Sequence, residues 1–355
     1  MIKKIIPIFV PHSGCPHDCI FCNQKKITGV STNITKDIVR NIIKECLQTL
    51  DPKKHDIEIA FFGGSFTAID FDVQRELLSV ACEYVNKGIV KDIRLSTRPD
   101  AIDKYRLDLL KDYKVTIIEL GVQSMVKDVL DASLRGHSVK DVLDASKLIR
   151  TYDFKLGLQM MVGLPNDTKE KSIYTCKEFI KINPDFVRVY PTLVVKNTGL
   201  ENEYIKKSYE PFNLENTIDV CKTLFVLFKL NDINIIRLGL QPSENISLDR
   251  DVVAGPYHAA LGELVENRVF REFLDIIIKK FNIKDLLMIE SNKKNMSKII
   301  GNKKSNKEYF SKKNIILKVI ESNLDINQIN IIIEEKKYEF SEKDILKTIK
   351  EELHL

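Results

Sequence analysis

The sequence predicts an α/β protein: a partial or complete parallel β/α barrel of the TIM type, followed by a small α+β appendage. Short apolar segments rich in β-branched residues recur along the chain, and amphipathic stretches with helical periodicity lie between them. Such alternation builds a parallel sheet through right-handed crossovers. Polar and glycine-containing motifs follow the apolar segments, and in barrels the carboxyl ends of the strands form the functional site.

The predicted elements follow in order along the chain. The predicted strands are Ile5–Val10, Ile57–Phe62, Asp92–Thr97, Ile117–Val122, Lys155–Val162, Phe186–Tyr190 and Ile233–Leu238. The clearest helices between them are Lys36–Leu50, Val73–Val85, Val139–Thr151 and Lys169–Ile182. These elements predict a barrel domain over residues 1–265.

Residues 266–355 are expected to form a small basic domain or appendage. The sequence predicts a helix over Val265–Leu274 and strands over Asn314–Ile320 and Ile329–Ile333. Helix and strand patterns together indicate an α+β form for this part of the chain.

Composition limits where the protein can work. The chain has 355 residues, of which 44% are apolar, and no apolar run approaches the roughly 18 residues of a membrane span. Lys3 and Lys4 precede a short apolar stretch, but no small-residue cleavage site follows, so a buried first strand is favoured over a signal peptide. The odd number of cysteines indicates a reducing compartment. We therefore expect a cytoplasmic protein with no membrane partner.

Three of the seven cysteines, Cys15, Cys19 and Cys22, stand within eight residues with the spacing C-x3-C-x2-C. Three reduced thiols are the ordinary explanation, and structural zinc would need a fourth ligand, which His12 or His17 could supply. An iron–sulfur cluster is favoured, because thiolates are its usual ligands. Three cysteines would leave one iron of a four-iron cluster open to a small molecule.

Polar motifs stand at the ends of the predicted strands. They read FFGGSFT, RLSTRPD, ELGVQS, LQMMVGLPND and VRVYPT. Gly63 and Gly64 are explained equally by a tight turn, and Ser96 and Gln123 by bonds to loop backbone. Because these motifs recur at strand ends, they predict a shared pocket.

With these motifs the chain resembles the radical S-adenosylmethionine enzymes, and within them the radical domain of the Elongator catalytic-subunit family. The stretches that carry the resemblance are CPHDCIFC, FFGGSFT, STRPD, ELGVQS, RGH, GLP, YPTLVVKNTGL and GPYHAALGELV, over about residues 5–265. Oxygen-independent coproporphyrinogen oxidase shares the Gly-Val-Gln-Ser and Gly-Leu-Pro elements and is less similar elsewhere.

The resemblance implies two cofactors, a [4Fe–4S] cluster held by Cys15, Cys19 and Cys22, and S-adenosylmethionine bound at its open iron. An electron from a reductant such as flavodoxin or ferredoxin would cleave S-adenosylmethionine to a 5′-deoxyadenosyl radical. The cofactors do this chemistry, and the protein binds and orients them and excludes water.

The resemblance also implies residue roles. The implied cofactor contacts are Gly63 and Gly64 to the methionine ammonium, Ser96 and Gln159 to the ribose, Gln123 as a further polar contact, Arg135 to the carboxylate, and Phe21 as a shield of the cluster or adenine. Ser65 stands where the family often has a glutamate. Tyr190 and Lys196, in YPTLVVKNTGL, are candidate substrate residues.

The C-terminal part departs from the Elongator family. The roughly ninety residues after Val265 contain no glycine-rich loop suited to the pyrophosphate of acetyl-coenzyme A, so an acetyltransferase domain is not expected there. Twelve lysines and three acidic residues lie between Lys279 and Lys318, a balance that suggests a polyanionic partner. A solvated lysine-rich surface explains the same composition. We take Lys303, Lys304, Lys312 and Lys313 as candidate RNA contacts.

Together these observations predict a radical enzyme that modifies a tRNA base, in the Elongator-like case a uridine. Two alternatives stay open at this point. One is a radical enzyme that acts on a small molecule or a porphyrin, and the other is a non-catalytic RNA-binding or assembly factor.

Overall fold

The computed structural model describes residues 2–10, 15, 18–23, 34–240 and 250–354. The chain divides into two compact units, one comprising Met1–Phe212 and Gln241–Tyr257, the other Asn213–Leu240 and His258–Leu355. This division into compact units does not test where an independently folding domain ends. The domain boundary at residue 265 therefore stays a prediction.

Seven strands appear in the positions that the apolar segments indicate, and two short strands, Val194–Val195 and Val252–Ala254, have no counterpart among the predicted elements. In chain order these strands are β1 (Ile2–Phe9), β2 (His55–Phe62), β3 (Asp92–Thr97), β4 (Val115–Gln123), β5 (Lys155–Val162), β6 (Phe186–Pro191), β7 (Val194–Val195), β8 (Asn234–Leu238) and β9 (Val252–Ala254). The seven-stranded main sheet has the order β1-β2-β3-β4-β5-β6-β8, and β7 pairs with β9 in a small sheet of its own.

The main sheet is a partial barrel. Strands β1 to β6 pair in parallel with their neighbours in chain order. Within the described residues no pairing joins the two edges of this sheet, so it stays open. Of the two forms that the sequence allows, partial and complete, the structure has the partial one.

Helices follow the strands in the first unit. They are α1 (Lys36–Leu47), α2 (Phe71–Asn86), α3 (Lys104–Asp112), α4 (Lys127–Ala132), α5 (Val139–Arg150), α6 (Lys169–Ile182) and α7 (Gly199–Ile205). Side-chain caps fix where several of them begin. Thr35, Asp103 and Thr168 each accept a bond from a first-turn backbone N–H, and Ser138 forms a reciprocal capping box with Asp141.

Most predicted bounds differ from the observed ones by a few residues, and β3, β5 and α6 have the predicted bounds. The predicted helix Val265–Leu274 is longer in the structure and spans Leu261–Phe281. Among the strands, β1 shows the largest extension, beginning at Ile2 rather than Ile5. Its first residues have exposed side chains but pair in register with β2 from His55 onward. Backbone pairing extends the strand where apolar patterning gives no signal.

The second unit contains the predicted α+β appendage. Its sheet has the order β11-β10-β12-β13. The strands are β10 (Leu286–Ser291), β11 (Ile316–Glu321), β12 (Gln328–Ile333) and β13 (Lys336–Ser341), and the helices are α8 (Leu214–Leu230), α9 (Leu261–Phe281), α10 (Lys293–Ile300), α11 (Ser305–Ser311) and α12 (Glu342–Glu352). Its core includes Phe273, Phe310, Leu287 and Ile331.

Helix α8 is absent from the elements that the sequence predicts. Its residues Leu224, Val226, Leu227 and Phe228 are all buried, so apolar side chains cover more than one face of the helix. A helix that is buried on several sides loses the apolar stripe on which periodicity depends. Within the described part of the chain, no helix has the length and apolar character that crossing a membrane would require.

Candidate cofactor site at the carboxyl ends of the strands

The cysteine loop follows β1, and its described part is fastened to two neighbouring segments. Cys19 is buried, and Cys15 and Cys22 are half-buried. The Ile20 N–H donates to the carbonyl of Ser133 (3.2 Å), and the Leu200 N–H donates to the carbonyl of Ile20 (2.7 Å). These bonds hold the Cys19–Cys22 turn between the end of α4 and the first turn of α7.

The donor set of this loop fits an iron–sulfur group, because thiolates are the usual ligands of such clusters. Among the described residues, no three His, Cys, Asp or Glu side chains converge as a preformed metal site. Ligands of this kind are commonly gathered by the metal itself. His12 and His17, the candidate fourth ligands of a zinc site, lie outside the described residues.

Two buried guanidiniums lie beside the thiols. Arg135 donates from Nη1 to Cys19 Sγ (3.2 Å) and from Nη2 to the carbonyl of Gly121. Arg98 forms a bidentate ion pair with Asp100, with N–O distances of 2.9 Å and 3.0 Å, and also donates to the carbonyl of Arg135. The site therefore combines three thiols with positive charge from the β3 and α4 ends.

Burial and the nearby charges shift two pKa values at this site. Burial raises the pKa of the Cys15 thiol, while the nearby charges of Arg98 and Arg135 favour its thiolate form and lower the pKa in part. Burial, with Arg135 and Arg98 as further causes, lowers the pKa of His137 to about 3. His137 is therefore neutral near pH 7, and its Nε2 lies 3.1 Å from the carbonyl of Val122.

Several buried polar atoms at this end of the sheet have no hydrogen-bond partner among the described residues. They include Ser96 Oγ, Gln123 Oε1, Arg98 Nη1 and Arg135 Nε. An unpaired buried donor or acceptor costs about 1–3 kcal/mol, so a cluster of them is a place where a polar ligand would be stabilised. Ser96 and Gln123 are two of the residues for which the sequence predicts cofactor contacts.

Gln123 also has an unusual backbone. It ends β4 with φ near 70°, a region that residues other than glycine seldom occupy, and the β4–β5 register shifts beside it. Such conformations cluster at functional sites, because the surrounding structure must hold them in place. The strain supports Gln123 as a site residue.

The glycine pair after β2, Gly63 and Gly64, is half-buried. Gly63 and Gly64 have φ values of 81° and 54°, which explains why glycine stands at both positions. The Ser65 hydroxyl is turned inward, 3.0 Å from Thr97 Oγ1, and accepts the Arg98 N–H (3.2 Å). Ser65 therefore uses its polar group within the fold, and any ligand contact at this turn falls to the backbone.

Gln159 belongs to a network of buried charges inside the sheet. Its Nε2 donates to Glu119 Oε2 (3.2 Å), and Arg188 Nε donates to the same oxygen (2.6 Å). Arg94 bridges Glu119 at 2.8 Å and Glu58 at 2.9 Å. In this structure the amide of Gln159 is committed to Glu119, and its proposed contact to the ribose stays a prediction.

The other predicted site residues of the first unit, Tyr190, Phe21 and Lys196, lie in three different local environments. Tyr190 is half-buried, and its hydroxyl accepts a bond from Arg188 Nη1 (3.3 Å). Phe21 packs against the apolar cluster of Val194, Leu200 and Tyr209. Lys196 is exposed, and the carbonyl of Lys196 accepts a bond from the side-chain amide of Asn23 in the cysteine loop (3.2 Å).

The four candidate lysines all lie in the second unit, outside this site. Lys303, Lys304 and Lys312 are exposed, and the first two have left-handed backbone between α10 and α11. Lys313 donates to Asp275 (2.6 Å) and to the hydroxyl of Tyr309 (2.7 Å). Part of the positive charge counted from the sequence is therefore paired locally.

Comparison with known proteins decides the family. The model of the radical SAM superfamily matches residues 9–177, and the model of the Radical_SAM C-terminal domain matches residues 184–271. An uncharacterized protein of Methanocaldococcus jannaschii is 30% identical over 222 residues, which cover 59% of this chain and 68% of the relative. This chain belongs to the radical SAM superfamily.

Within the superfamily the similarities point towards Elongator proteins. A tRNA uridine(34) acetyltransferase of Methanocaldococcus infernus is 24% identical over 258 residues, covering 61% of this chain and 48% of that protein. Elongator complex protein 3 of Dictyostelium discoideum is 30% identical over 202 residues, covering 51% and 36%. The chain thus spans about half the length, or less, of these two relatives.

A solved structure supports the same fold. The archaeal Methanocaldococcus infernus Elp3 with an N-terminal deletion superposes with a TM-score of 0.57 at 23% identity, covering 76% of this chain and 63% of that one. At this identity the likeness concerns the fold. The radical SAM fold places the ends of β1 to β6 together, where the cysteine loop and the unpartnered polar atoms lie.

Sequence reasoning missed several residues of this radical SAM site. Arg98 was noted only as part of a strand-end motif, and His137 only within the RGH stretch. Charged residues inside otherwise apolar strands, in IRLST, IELGVQ and VRVYP, were a signal for the buried network. Burying a charge requires a partner, so such residues predict one another.

Proposed function

We propose that this chain is a radical SAM enzyme that binds a [4Fe–4S] cluster through Cys15, Cys19 and Cys22, cleaves S-adenosylmethionine, and modifies a uridine base in tRNA. The observation that carries the cofactor part is the set of unpartnered buried polar atoms around the cysteine loop. Carboxylate, ammonium and ribose groups of one ligand would satisfy donors and acceptors of this kind.

The chain's own residues would bind and orient the cofactors. Backbone carbonyls of the turn after β2, at Gly63 and Gly64, would accept from an ammonium group, and Ser96 Oγ suits a ribose hydroxyl. Gln123 would add a bond from the strained end of β4. Arg188 is held by the buried carboxylate of Glu119, and it donates to the Tyr190 hydroxyl and so orients it.

When bound, the cluster would supply the electron, taken from a reductant of the flavodoxin or ferredoxin type, that breaks a sulfonium C–S bond of S-adenosylmethionine. Buried Cys19 and the apolar cluster of Val194, Leu200 and Tyr209 beside the loop would help to exclude water.

The tRNA part of the proposal is supported by the similar proteins and by surface charge. Two of the similar proteins named above are a tRNA uridine(34) acetyltransferase and an Elongator protein. Exposed lysines in the second unit offer positive charge that would suit an RNA backbone. The acyl-donor half of the acetyltransferase reaction is left out of the proposal, since the similarity covers only part of those proteins.

The cofactor proposal is tested by anaerobic reconstitution. We expect about four irons and four sulfides per chain, with their loss when Cys15, Cys19 and Cys22 are changed to alanine. Cys46→Ala, Cys82→Ala and Cys221→Ala serve as controls that remove the same number of thiols elsewhere in the fold. Full zinc occupancy in anaerobically purified protein, with no cluster after reconstitution, would contradict the proposal.

The substrate proposal is tested by nucleoside mass spectrometry of total tRNA from cells with and without this gene. We expect a modified uridine to disappear in the deletion strain and to return with the unmodified gene, but not with the triple cysteine variant. Identical nucleoside profiles, with S-adenosylmethionine cleavage unaffected by RNA, would favour the small-molecule alternative. RNA binding without any cleavage would favour the assembly-factor alternative.

A further inference from the structure

We propose that the buried guanidiniums of Arg98 and Arg135 act as one unit that supplies the counter-charge for the cysteine loop and raises the reduction potential of the bound cluster. This inference rests on the proposed function. It gives Arg135 a role at the cysteine sulfur, whereas the family resemblance implies a role at the carboxylate of S-adenosylmethionine. It adds Arg98, which has no role in that resemblance, as a positioning residue.

The contact of Arg135 with a cysteine is direct. Its Nη1 lies 3.2 Å from Cys19 Sγ, and its Nη2 donates to the carbonyl of Gly121. Both terminal nitrogens of the guanidinium are therefore hydrogen-bonded, one to a proposed cluster ligand and the other to the backbone near the end of β4. Because the guanidinium is planar and rigid, the Gly121 bond fixes the direction of the bond to sulfur.

Arg98 holds Arg135 from the other side. Its guanidinium is bound by both carboxylate oxygens of Asp100 and donates to the backbone carbonyl of Arg135. Its backbone N–H is bonded to Ser65 Oγ (3.2 Å), which ties it to the turn after β2. Arg98 is therefore fixed at the backbone and at the guanidinium, and it is almost wholly buried.

One nitrogen of the Arg98 guanidinium, Nη1, is buried and has no hydrogen-bond partner among the described residues. Arg98 is also near enough to Cys15 for its positive charge to act on that thiol, although burial, the larger cause, raises the pKa of Cys15. The unused N–H donor thus belongs to a guanidinium that is already next to a second proposed ligand.

The balance of charge near the loop favours reduction. Arg98 and Arg135 contribute two positive charges and Asp100 one negative charge, while His137 stays neutral near pH 7. Asp18, in the loop itself, is exposed, so solvent screens its charge more than the charges of the two buried guanidiniums. Taking up one electron adds a negative charge to a group that already carries three thiolates. Nearby positive charge and N–H bonds to cysteine sulfur stabilise that reduced state, and both are known determinants of cluster potential.

The test is the midpoint potential of the reconstituted full chain, measured by redox titration with electron paramagnetic resonance and without S-adenosylmethionine. We expect Arg135→Gln to shift the reduction equilibrium at least tenfold towards the oxidised cluster, which is about 59 mV for a one-electron couple. Arg98→Gln should shift it in the same direction. Arg135→Lys, which keeps the charge and loses the fork, should give a smaller shift.

Arg106→Gln is the matched control. Arg106 also combines a bond to a backbone carbonyl, that of Thr67 (2.7 Å), with a carboxylate partner, Asp103, but its contacts involve no cysteine. Its variant should keep the potential of the unmodified protein. If a glutamine variant fails to take up iron, the lysine variants Arg135→Lys and Arg98→Lys decide the same question.

The outcomes separate this inference from the function on which it rests. If the unmodified chain forms no cluster, the proposed function is wrong. If the cluster forms and its potential is the same in the Arg98 and Arg135 variants as in the Arg106 control, this inference is wrong and the proposed function stands. Unchanged potential with weaker S-adenosylmethionine binding in Arg135→Gln would assign Arg135 to the carboxylate instead.

Discussion

The protonation state of His137 is determined by its surroundings at this site. It is buried near two positively charged groups, Arg135 and Arg98, whereas Asp100 and the bond to the carbonyl of Val122 favour its charged form. Burial is the largest cause of its low pKa. A neutral imidazole can pack beside two guanidiniums, whereas an imidazolium there would add a third positive charge.

We therefore predict that His137 makes stability depend on pH. Its pKa is about 3 in the folded state and near 6.5 in the unfolded state, so the unfolded chain binds more protons between these values. The stabilisation is fully present above about pH 6.5 and is lost as the pH falls towards 3. The slope of the free energy of unfolding should approach about 1.4 kcal/mol per pH unit.

The measurement is urea unfolding from pH 7.5 to 4, comparing the unmodified protein with His137→Gln. The variant should lose this slope. Asp167 acts in the opposite direction, because burial raises its pKa to about 6 and its stabilisation is lost as the pH rises through that value. Asp167 is present in both proteins and cancels in the comparison. Parallel pH profiles would contradict the assignment.

Gly157 is a second residue that depends closely on its surroundings, because there is no room for a side chain at this position. A Cβ atom added there would lie 2.2 Å from Phe186 Cε2 and 3.1 Å from Glu119 Cγ. Gly157→Ala should therefore destabilise the protein by about 1–3 kcal/mol through overpacking.

Gly262→Ala is the control for Gly157→Ala in urea unfolding. Gly262 lies in α9, and an added Cβ there would meet its nearest atom at the ordinary distance of 3.4 Å. Alanine is the better helix former, so this variant should be neutral or slightly stabilised. Equal effects of the two replacements would mean that Phe186 can move aside.

At the scale of elements, the strands are joined by ion pairs as well as by backbone bonds. Glu58 on β2, Arg94 on β3, Glu119 on β4 and Arg188 on β6 form one buried chain of alternating charge. Lys3 on β1 pairs with Glu58 at its outer end. Each buried charge depends mainly on its neighbours in this chain, so the chain behaves as a unit.

Removing one member should be costly. Arg94→Met leaves Glu58 and Glu119 each without one partner, and we expect a loss of about 3–5 kcal/mol in the free energy of unfolding. Arg150→Met is the matched control, since Arg150 pairs with Asp185 at the surface (2.7 Å) and such pairs contribute about 0–1 kcal/mol. Similar values for the two variants, measured by urea unfolding, would contradict a buried network.

At the scale of the whole molecule, the proposed cofactor site and the candidate RNA contacts belong to different units. If the second unit binds tRNA, the log of affinity should fall with the log of salt by roughly 0.7–0.9 per phosphate neutralised. Changing Lys303, Lys304 and Lys312 to Glu should abolish tRNA binding and leave the cluster spectrum unchanged.

Lys313→Glu alone should have a smaller effect on tRNA affinity, because Asp275 already pairs with Lys313. A charge-matched control changes Lys127, Lys140 and Lys181, in helices of the first unit, to Glu. Filter binding across a salt series measures all four proteins. Affinity that survives the first triple change, or falls equally in the control, would mean that these lysines form only a solvated surface.

Local pattern alone determined the strands and the candidate ligands. Alternating and continuous apolar segments placed β3 and β5 at their observed bounds, and the spacing of Cys15, Cys19 and Cys22 identified the donor set, because both are properties of neighbouring residues. Tertiary structure decided the partners. Arg135 and Cys19 are 116 positions apart, and Gln159 meets Glu119 across two strands. A buried polar side chain takes whichever partner the folded sheet brings within reach, and no local pattern records that partner.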